Sequence, residues 1–149
     1  WIATGPDLID QVTHSKLVTS AAIVSPTAIG IAAFLANGGH DRWLRSARRH
    51  YRESVARVRR AVLDSFPTGT HMTNPAGGMV VWIVLPPHID VAKLYQTVRL
   101  EQIAFAPGPM FTLSDNYRNC LRLNATTWNP EVASAIKTIG SVASHCCRS

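Results

Sequence analysis

The sequence has 149 residues, of which 46% are hydrophobic and 16% charged, a composition typical of a folded domain rather than of a disordered chain. The longest apolar run, residues 79–85, is too short to cross a bilayer, so no membrane segment is predicted. The formal net charge of +6 raises nucleic-acid binding as a function class, and the positions of the charges decide its weight.

Three helices are predicted in the first 65 residues. The first begins at the Gly5-Pro6-Asp7 turn and continues toward Leu17. The second begins at Ser25-Pro26, with Ser25 as N-cap, and ends at Gly38-Gly39. Because this helix is apolar nearly all round, we expect it to be largely buried, against the chain itself or against something outside it.

The third helix is predicted from Asp41 to about Ser65, ended by Pro67. One face carries apolar residues every three or four positions: Leu44, Ala47, Tyr51, Val55, Val58 and Val62. Much of the rest of the helix is basic, with Arg45, Arg48, Arg49, Arg52, Arg59 and Arg60. The basic face lacks interleaved aromatic residues for base stacking, and no helix-turn-helix signature adjoins it. A solvated cationic face is therefore favoured over direct DNA binding.

The second half of the sequence predicts strands alternating with helices. Residues 79–85 form the clearest strand, Asp90 caps a helix that continues to Leu100, and short strands follow at 103–106 and 120–124. Asn129, followed by Pro130, begins a closing helix. The predicted fold is one α+β domain with a small, mainly antiparallel sheet and helices packed on it.

No catalytic, cofactor-binding or metal-binding residue is predicted from motifs. Cys120 lies in a strand pattern and is expected to be a small buried hydrophobe. Cys146 and Cys147 beside His145 could suggest a metal, but adjacent cysteines lack the spacing of a zinc pair, and a frayed C-terminus is favoured. The histidines share no metal motif, and the lysines Lys16, Lys93 and Lys137 have polar neighbours on helical patterns.

Arg122 is the candidate site residue. In residues 120–124 the strand alternation places Leu121 and Leu123 on one face and Arg122 on the other. A guanidinium close to a core favours an anionic partner, and its planar fork suits a carboxylate. A structural ion pair with a local Asp or Glu, or an edge position facing water, would also explain it, and the pattern alone favours these structural explanations.

The ordered phrases at residues 75–82, 106–111 and 119–123 resemble the C-terminal domain of class I/II aminotransferases of fold type I. The opening residues 1–3 resemble the segment just after that family's cofactor lysine, so the resemblance covers essentially the whole chain. Within the superfamily, residues 38–53 are similar to the MocR-like branch of GntR-family transcriptional regulators, which join a winged helix-turn-helix to an aminotransferase-like domain that binds pyridoxal 5'-phosphate (PLP).

The resemblance implies that residues 1–149 are the small C-terminal domain of a longer protein, whose large PLP-binding domain, cofactor lysine and any winged helix-turn-helix lie outside this sequence. It implies that Arg122 binds the carboxylate of a substrate or effector, which reverses the preference drawn from the pattern alone. Pro109, where the family often has a small polar residue, departs from the pattern and leaves the local loop shape open.

The expected function is the effector domain of a MocR-type regulator, with the small domain of a metabolic aminotransferase and a basic nucleic-acid-binding domain as alternatives. The expected partners are the large domain of the same chain, a second copy in a homodimer, and an amine or amino-acid ligand. DNA would be bound only through the winged domain. We expect the fragment itself to be inactive, whereas transamination by the whole protein stays open. No basic-then-apolar leader opens the sequence, so the expected compartment is the cytoplasm.

Overall fold

The computed structural model describes residues 2–20 and 25–146 and divides into two compact units, Trp1–Leu44 and Arg45–Ser149. The helices are α1 (Pro6–Ser20), α2 (Ser25–Ala36), α3 (Gly39–Ser65), α4 (Val91–Arg99) and α5 (Pro130–Cys146). The strands are β1 (His71–Met72), β2 (Val80–Val84), β3 (Ala106–Pro107) and β4 (Cys120–Asn124), with a 3₁₀ helix at Gly108–Phe111. No described helix combines the length and apolarity that a membrane crossing requires.

The first unit holds α1, α2 and the start of α3. The side chains of α1 are largely exposed, and the apolar residues of α2 are exposed as well, Ile29 at 68% and Phe34 at 43%. The expectation of a buried α2 is therefore not met by contacts among the described residues. The N-cap role expected of the Ser25 side chain lies outside what the structure describes.

α3 begins two residues earlier than the sequence predicts. The backbone N–H of Gly39 donates to Oδ1 of Asn37 at 2.9 Å, so Asn37 satisfies one of the free amides at the start of the helix. Asp41 consequently lies in the first turn instead of at the cap. Gly39 is required here because a Cβ at this position would lie 2.5 Å from Cδ2 of Phe34 and 2.9 Å from the backbone oxygen of Phe34.

The sheet of the second unit has the order β1-β2-β4-β3, and every neighbouring pair is antiparallel. This confirms the α+β prediction of a small antiparallel sheet with helices packed on it. The two-residue strand β1, paired with the end of β2, was not predicted, because two residues are too few to show an alternation pattern. The predicted strand 103–106 is only the pair Ala106–Pro107 in the structure.

One face of the sheet forms the core. Val81 and Ile83 of β2 lie opposite Leu123 and Leu121 of β4, and all four are buried. The second half of α3, together with α4 and α5, covers this face with residues that are nearly all aliphatic: Val55, Val58, Val62, Val91, Leu94, Val98, Ile136, Ile139 and Ala143. The apolar stripe predicted for α3 is thus buried from Val55 onward, whereas Leu44, Ala47 and Tyr51 are half-buried.

Side-chain caps set the starts of the other two core helices as predicted. Oδ1 of Asp90 accepts the backbone N–H groups of Ala92 and Lys93 at the start of α4. Oδ1 of Asn129 accepts the N–H of Val132 at 2.8 Å at the start of α5. These bonds satisfy amides that have no partner within the helix, so each helix begins at a defined residue.

Candidate functional site

Arg122 lies in the middle of β4 on the sheet face opposite the core. Its Cα partners are Trp82 on β2 and Ala106 on β3, so β4 is an inner strand and the expected alternative of an edge position is wrong. The neighbours Leu121 and Leu123 point into the core, and the alternation of a strand then leaves Arg122 on the other, exposed face. The predicted facing of these residues is therefore confirmed.

Aromatic side chains surround Arg122 on this face. Its guanidinium carbon lies 4.6 Å from the centre of the Phe111 ring, a distance at which the ring quadrupole attracts a cation. Trp82 makes edge contacts with Phe111 at 5.6 Å and with Tyr117 at 5.4 Å between ring centres. We call these four residues the aromatic–arginine cluster: Trp82, Phe111, Tyr117 and Arg122.

The segment after β3 brings Phe111 to Arg122. At Gly108, a Cβ would lie 2.8 Å from the Cβ and the backbone oxygen of Cys120 and would also meet the backbone oxygen of Tyr117. Only a residue without a side chain allows the 3₁₀ helix to approach the start of β4 so closely. Pro109 follows within the first turn of that helix, a position that suits its fixed φ.

The guanidinium of Arg122 has no carboxylate partner in the described part of the chain. The ion pairs found there are His40–Asp41 and Arg60–Asp64, both outside the aromatic–arginine cluster. A structural ion pair therefore does not account for Arg122 within residues 2–20 and 25–146. The Arg122 side chain is exposed and packs against the Phe111 ring, an arrangement that can receive a carboxylate in bidentate geometry.

Cys120 lies beside the cluster and is 4% exposed, as the prediction of a small buried hydrophobe requires. Burial raises the pKa of its thiol, and the Trp82 side chain offsets part of that increase. The thiol is therefore neutral near pH 7, and a neutral buried thiol is a poor nucleophile. Cys120 contributes packing to the site rather than covalent chemistry.

Residues 2–20 and 25–146 contain no group of three or more His, Cys, Asp or Glu side chains that could hold a metal ion. Cys146 is exposed at the end of α5, and Nδ1 of His145 is 2.8 Å from the backbone oxygen of Ser141. Cys147 lies outside the described residues.

Sequence reasoning identified Arg122 but not the aromatic residues around it. Trp82 could have been found, because it alternates with the buried Val81 and Ile83 and so must lie on the opposite face of β2. Phe111 and Tyr117 belong to the connection between β3 and β4, which has no periodicity. Only the close approach at Gly108 brings that connection onto the sheet.

Comparison with known proteins agrees with this architecture. Residues 2–139 match the family model described as aminotransferase class I and II. The chain is 32% identical over 141 residues to an uncharacterized HTH-type transcriptional regulator, YjiR, of Escherichia coli, covering 94% of this chain and 30% of the regulator. It is also 32% identical over 103 residues to a 2-aminoadipate transaminase of Thermus thermophilus, covering 68% of this chain and 26% of that enzyme.

Solved structures show the same fold. A multiple substrate aminotransferase from Thermococcus profundus superposes with a TM-score of 0.85 at 21% identity, over 97% of this chain and 36% of the enzyme. The α-aminoadipate aminotransferase LysN from Thermus thermophilus, complexed with N-(5'-phosphopyridoxyl)-L-leucine, gives 0.81 at 25% identity, over 98% of this chain and 38% of LysN. The chain thus spans about a third of the length of these proteins. It belongs to the class I and II aminotransferase family.

Proposed function

We propose that this chain is the small C-terminal domain of a PLP-dependent, aminotransferase-like transcriptional regulator of the MocR type, and that Arg122 binds the carboxylate of its amino-acid ligand. The observation that carries the proposal is the exposed guanidinium of Arg122, supported by Phe111 at 4.6 Å and lacking a carboxylate partner among the described residues. The similarity to the helix-turn-helix regulator YjiR over 94% of the chain supports the regulator assignment.

The residues of this chain are suited to binding the amino acid that reacts with PLP rather than to binding PLP itself. Arg122 offers a planar pair of donors for a carboxylate, and the Phe111 ring restricts where the guanidinium can move. When bound, PLP supplies the electron sink for chemistry at the amino group of an amino acid. We expect the lysine that holds it in a large domain of the same protein, outside residues 1–149.

Within this arrangement the chain's own residues bind and orient the ligand. The guanidinium would pair with the α-carboxylate and so determine which way the amino group points. Trp82, the Cα partner of Arg122 on β2, is in edge contact with Tyr117, so both rings add aromatic surface to this face of the sheet. A large domain that covers this face would exclude water from it and so strengthen the ion pair. A ligand bound between this domain and a large domain would favour one domain arrangement over another, and a regulator could transmit that difference to a DNA-binding domain.

The test compares an amino acid with its decarboxylated amine in the intact, PLP-loaded protein. The probe is the member of the twenty standard L-amino acids that gives the largest change in cofactor absorbance, and its matched amine lacks only the carboxylate. Because we expect a large domain to bury this ion pair in the intact protein, Arg122→Gln should weaken amino-acid binding by about 2–5 kcal/mol. Amine binding should change little, since the amine has no carboxylate to lose.

Arg118→Gln is the matched control, because Arg118 is an exposed arginine on the connection before β4 and lies outside the aromatic–arginine cluster. This control should retain the preference for the amino acid. Equal loss of amine and amino-acid binding in Arg122→Gln, or an unchanged preference, would show that Arg122 does not bind the carboxylate.

A metabolic aminotransferase is the second candidate function. The 32% identity to a 2-aminoadipate transaminase supports it, although that match covers 68% of the chain. Steady-state transamination of the best amino acid with 2-oxoglutarate separates the two functions. Turnover by the intact protein without ligand-dependent DNA binding would favour the enzyme, whereas ligand-dependent DNA binding would favour the regulator.

A further inference from the structure

The middle of α3 and the loop before β2, residues 74–78, enclose a cavity of about 330 Å³ within the second unit. Arg48, Arg52 and Arg59 line its helix side, at spacings that place them on one face of α3. None of its lining residues belongs to the aromatic–arginine cluster. The cavity is therefore a feature separate from the site of the proposed function, and its volume is in the range of small-molecule pockets.

The cavity is positively charged and has no acidic lining residue. α3 contains eight arginines and three carboxylates. Among the described residues of its second half, Arg60 forms an ion pair with Asp64, and neither residue lines the cavity. Three guanidinium groups around one cavity repel one another, and an anion bound among them would remove that repulsion.

Arg59 is held in place instead of moving freely in solvent. Its Nη1 donates a 2.7 Å hydrogen bond to Oδ1 of Asn74 on the facing loop. Its Nε has no hydrogen-bond partner among the described residues and is shielded from solvent. A ligand cannot reach this shielded Nε, so the donors that Arg59 can offer to the cavity are the terminal N–H groups of its guanidinium. Because the Arg59 side chain is already restrained in the free protein, ordering it on ligand binding costs less conformational entropy.

The opposite side of the cavity is uncharged. The loop contributes Pro75, Ala76 and two glycines, and a Cβ at Gly77 or Gly78 would meet no atom within 4 Å. The loop thus adds no charged group to the cavity lining. This combination suits a molecule that has one strongly anionic end and a less polar body.

We propose that this cavity binds the phosphoryl group of a small molecule, such as a phosphate monoester. A phosphoryl group carries close to two negative charges at pH 7 and three acceptor oxygens, which matches three guanidinium groups better than a single carboxylate does. Tyr51 also lines the helix side of the cavity.

The test measures binding of inorganic phosphate to the intact protein by titration calorimetry, after preloading with PLP and removal of the excess. We expect Arg48→Gln and Arg52→Gln each to lower phosphate affinity by about tenfold, because each substitution removes a charged hydrogen-bond donor from the cavity lining. Both side chains are exposed, so neither substitution should unfold the protein. Arg49→Gln, an exposed α3 arginine outside the cavity lining, is the control and should change phosphate affinity by less than about twofold.

Succinate and a short DNA duplex serve as competing probes. Phosphate binding that is lost in the two cavity variants and retained in the control supports the proposal. Binding of succinate without phosphate would overturn the phosphoryl assignment. Binding of the duplex with equal losses in all three variants would show that α3 acts as a general cationic face, and no phosphate binding by the wild type would also overturn the proposal.

Discussion

The two faces of β2 and β4 are built from alternating residues of the same strands, yet their burial differs sharply. On one face, Val81, Ile83, Leu121 and Leu123 are at most 8% exposed beneath three helices. On the other face, Arg122 is exposed and rests on an aromatic ring contributed by a neighbouring segment. Both faces depend on the same strand, β4. Its buried side chains fix the position of the strand, and the fixed strand holds Arg122 at the surface.

Together with the proposed function, this division would assign stability to one face and ligand binding to the other. If it is right, substitutions one residue apart on β4 should have opposite effects on unfolding and on binding.

The largest effect is expected at Leu121, which has no exposed surface and lies opposite Ile83. Leu121→Ala leaves a cavity in the core and should lower the free energy of unfolding by about 2–5 kcal/mol. Arg122→Gln, at the next residue, should change it by less than about 0.5 kcal/mol because its side chain is exposed. Urea unfolding followed by circular dichroism measures both. Comparable losses in the two variants would mean that the faces are not energetically separate.

A smaller effect is expected at Phe111, which contacts the guanidinium but not the core. Phe111→Leu removes the ring beneath Arg122 and should weaken amino-acid binding about two- to fivefold, because an exposed cation–π contact contributes about 0.5–1 kcal/mol. The neighbouring Met110→Leu is the control, since Met110 is 72% exposed. Titration of the PLP-loaded intact protein measures the change. Equal affinities in both variants would remove Phe111 from the site.

The smallest effect on stability is expected from Cys120, which lies on the same sheet face as Arg122 but is buried by its neighbours. Burial raises the pKa of its thiol in the folded protein, so the unfolded state loses this proton first as the pH rises. The stabilising contribution is complete below the ordinary thiol pKa and is lost as the pH rises through the folded value. Urea midpoints between pH 8 and 10 should therefore fall more steeply for the wild type than for Cys120→Ala.

Cys146→Ala is the matched control for that measurement, because it removes an exposed cysteine and leaves Cys120 in place. It should follow the pH dependence of the wild type. Parallel pH dependence in the wild type and Cys120→Ala would mean that the thiol is not desolvated in the folded state.

Local patterns predicted most of the second unit. The caps at Asp90 and Asn129 were correct because a capping bond involves residues only two or three positions apart. The start of α3 was placed two residues late because Asn37, an equally good cap, precedes two glycines that the pattern treats as a break. β1 was missed since a two-residue strand exists only through its pairing with β2.

The candidate site divides in the same way. The pattern of residues 120–124 was enough to predict that Arg122 faces away from Leu121 and Leu123, because strand alternation depends on the backbone alone. The inner position of β4, the contact of Phe111 with the guanidinium, and the cavity between α3 and the loop at residues 74–78 were visible only in the folded chain. These features depend on contacts between segments far apart in the chain. Local periodicity carries no information about such contacts, because they depend on how whole elements pack together.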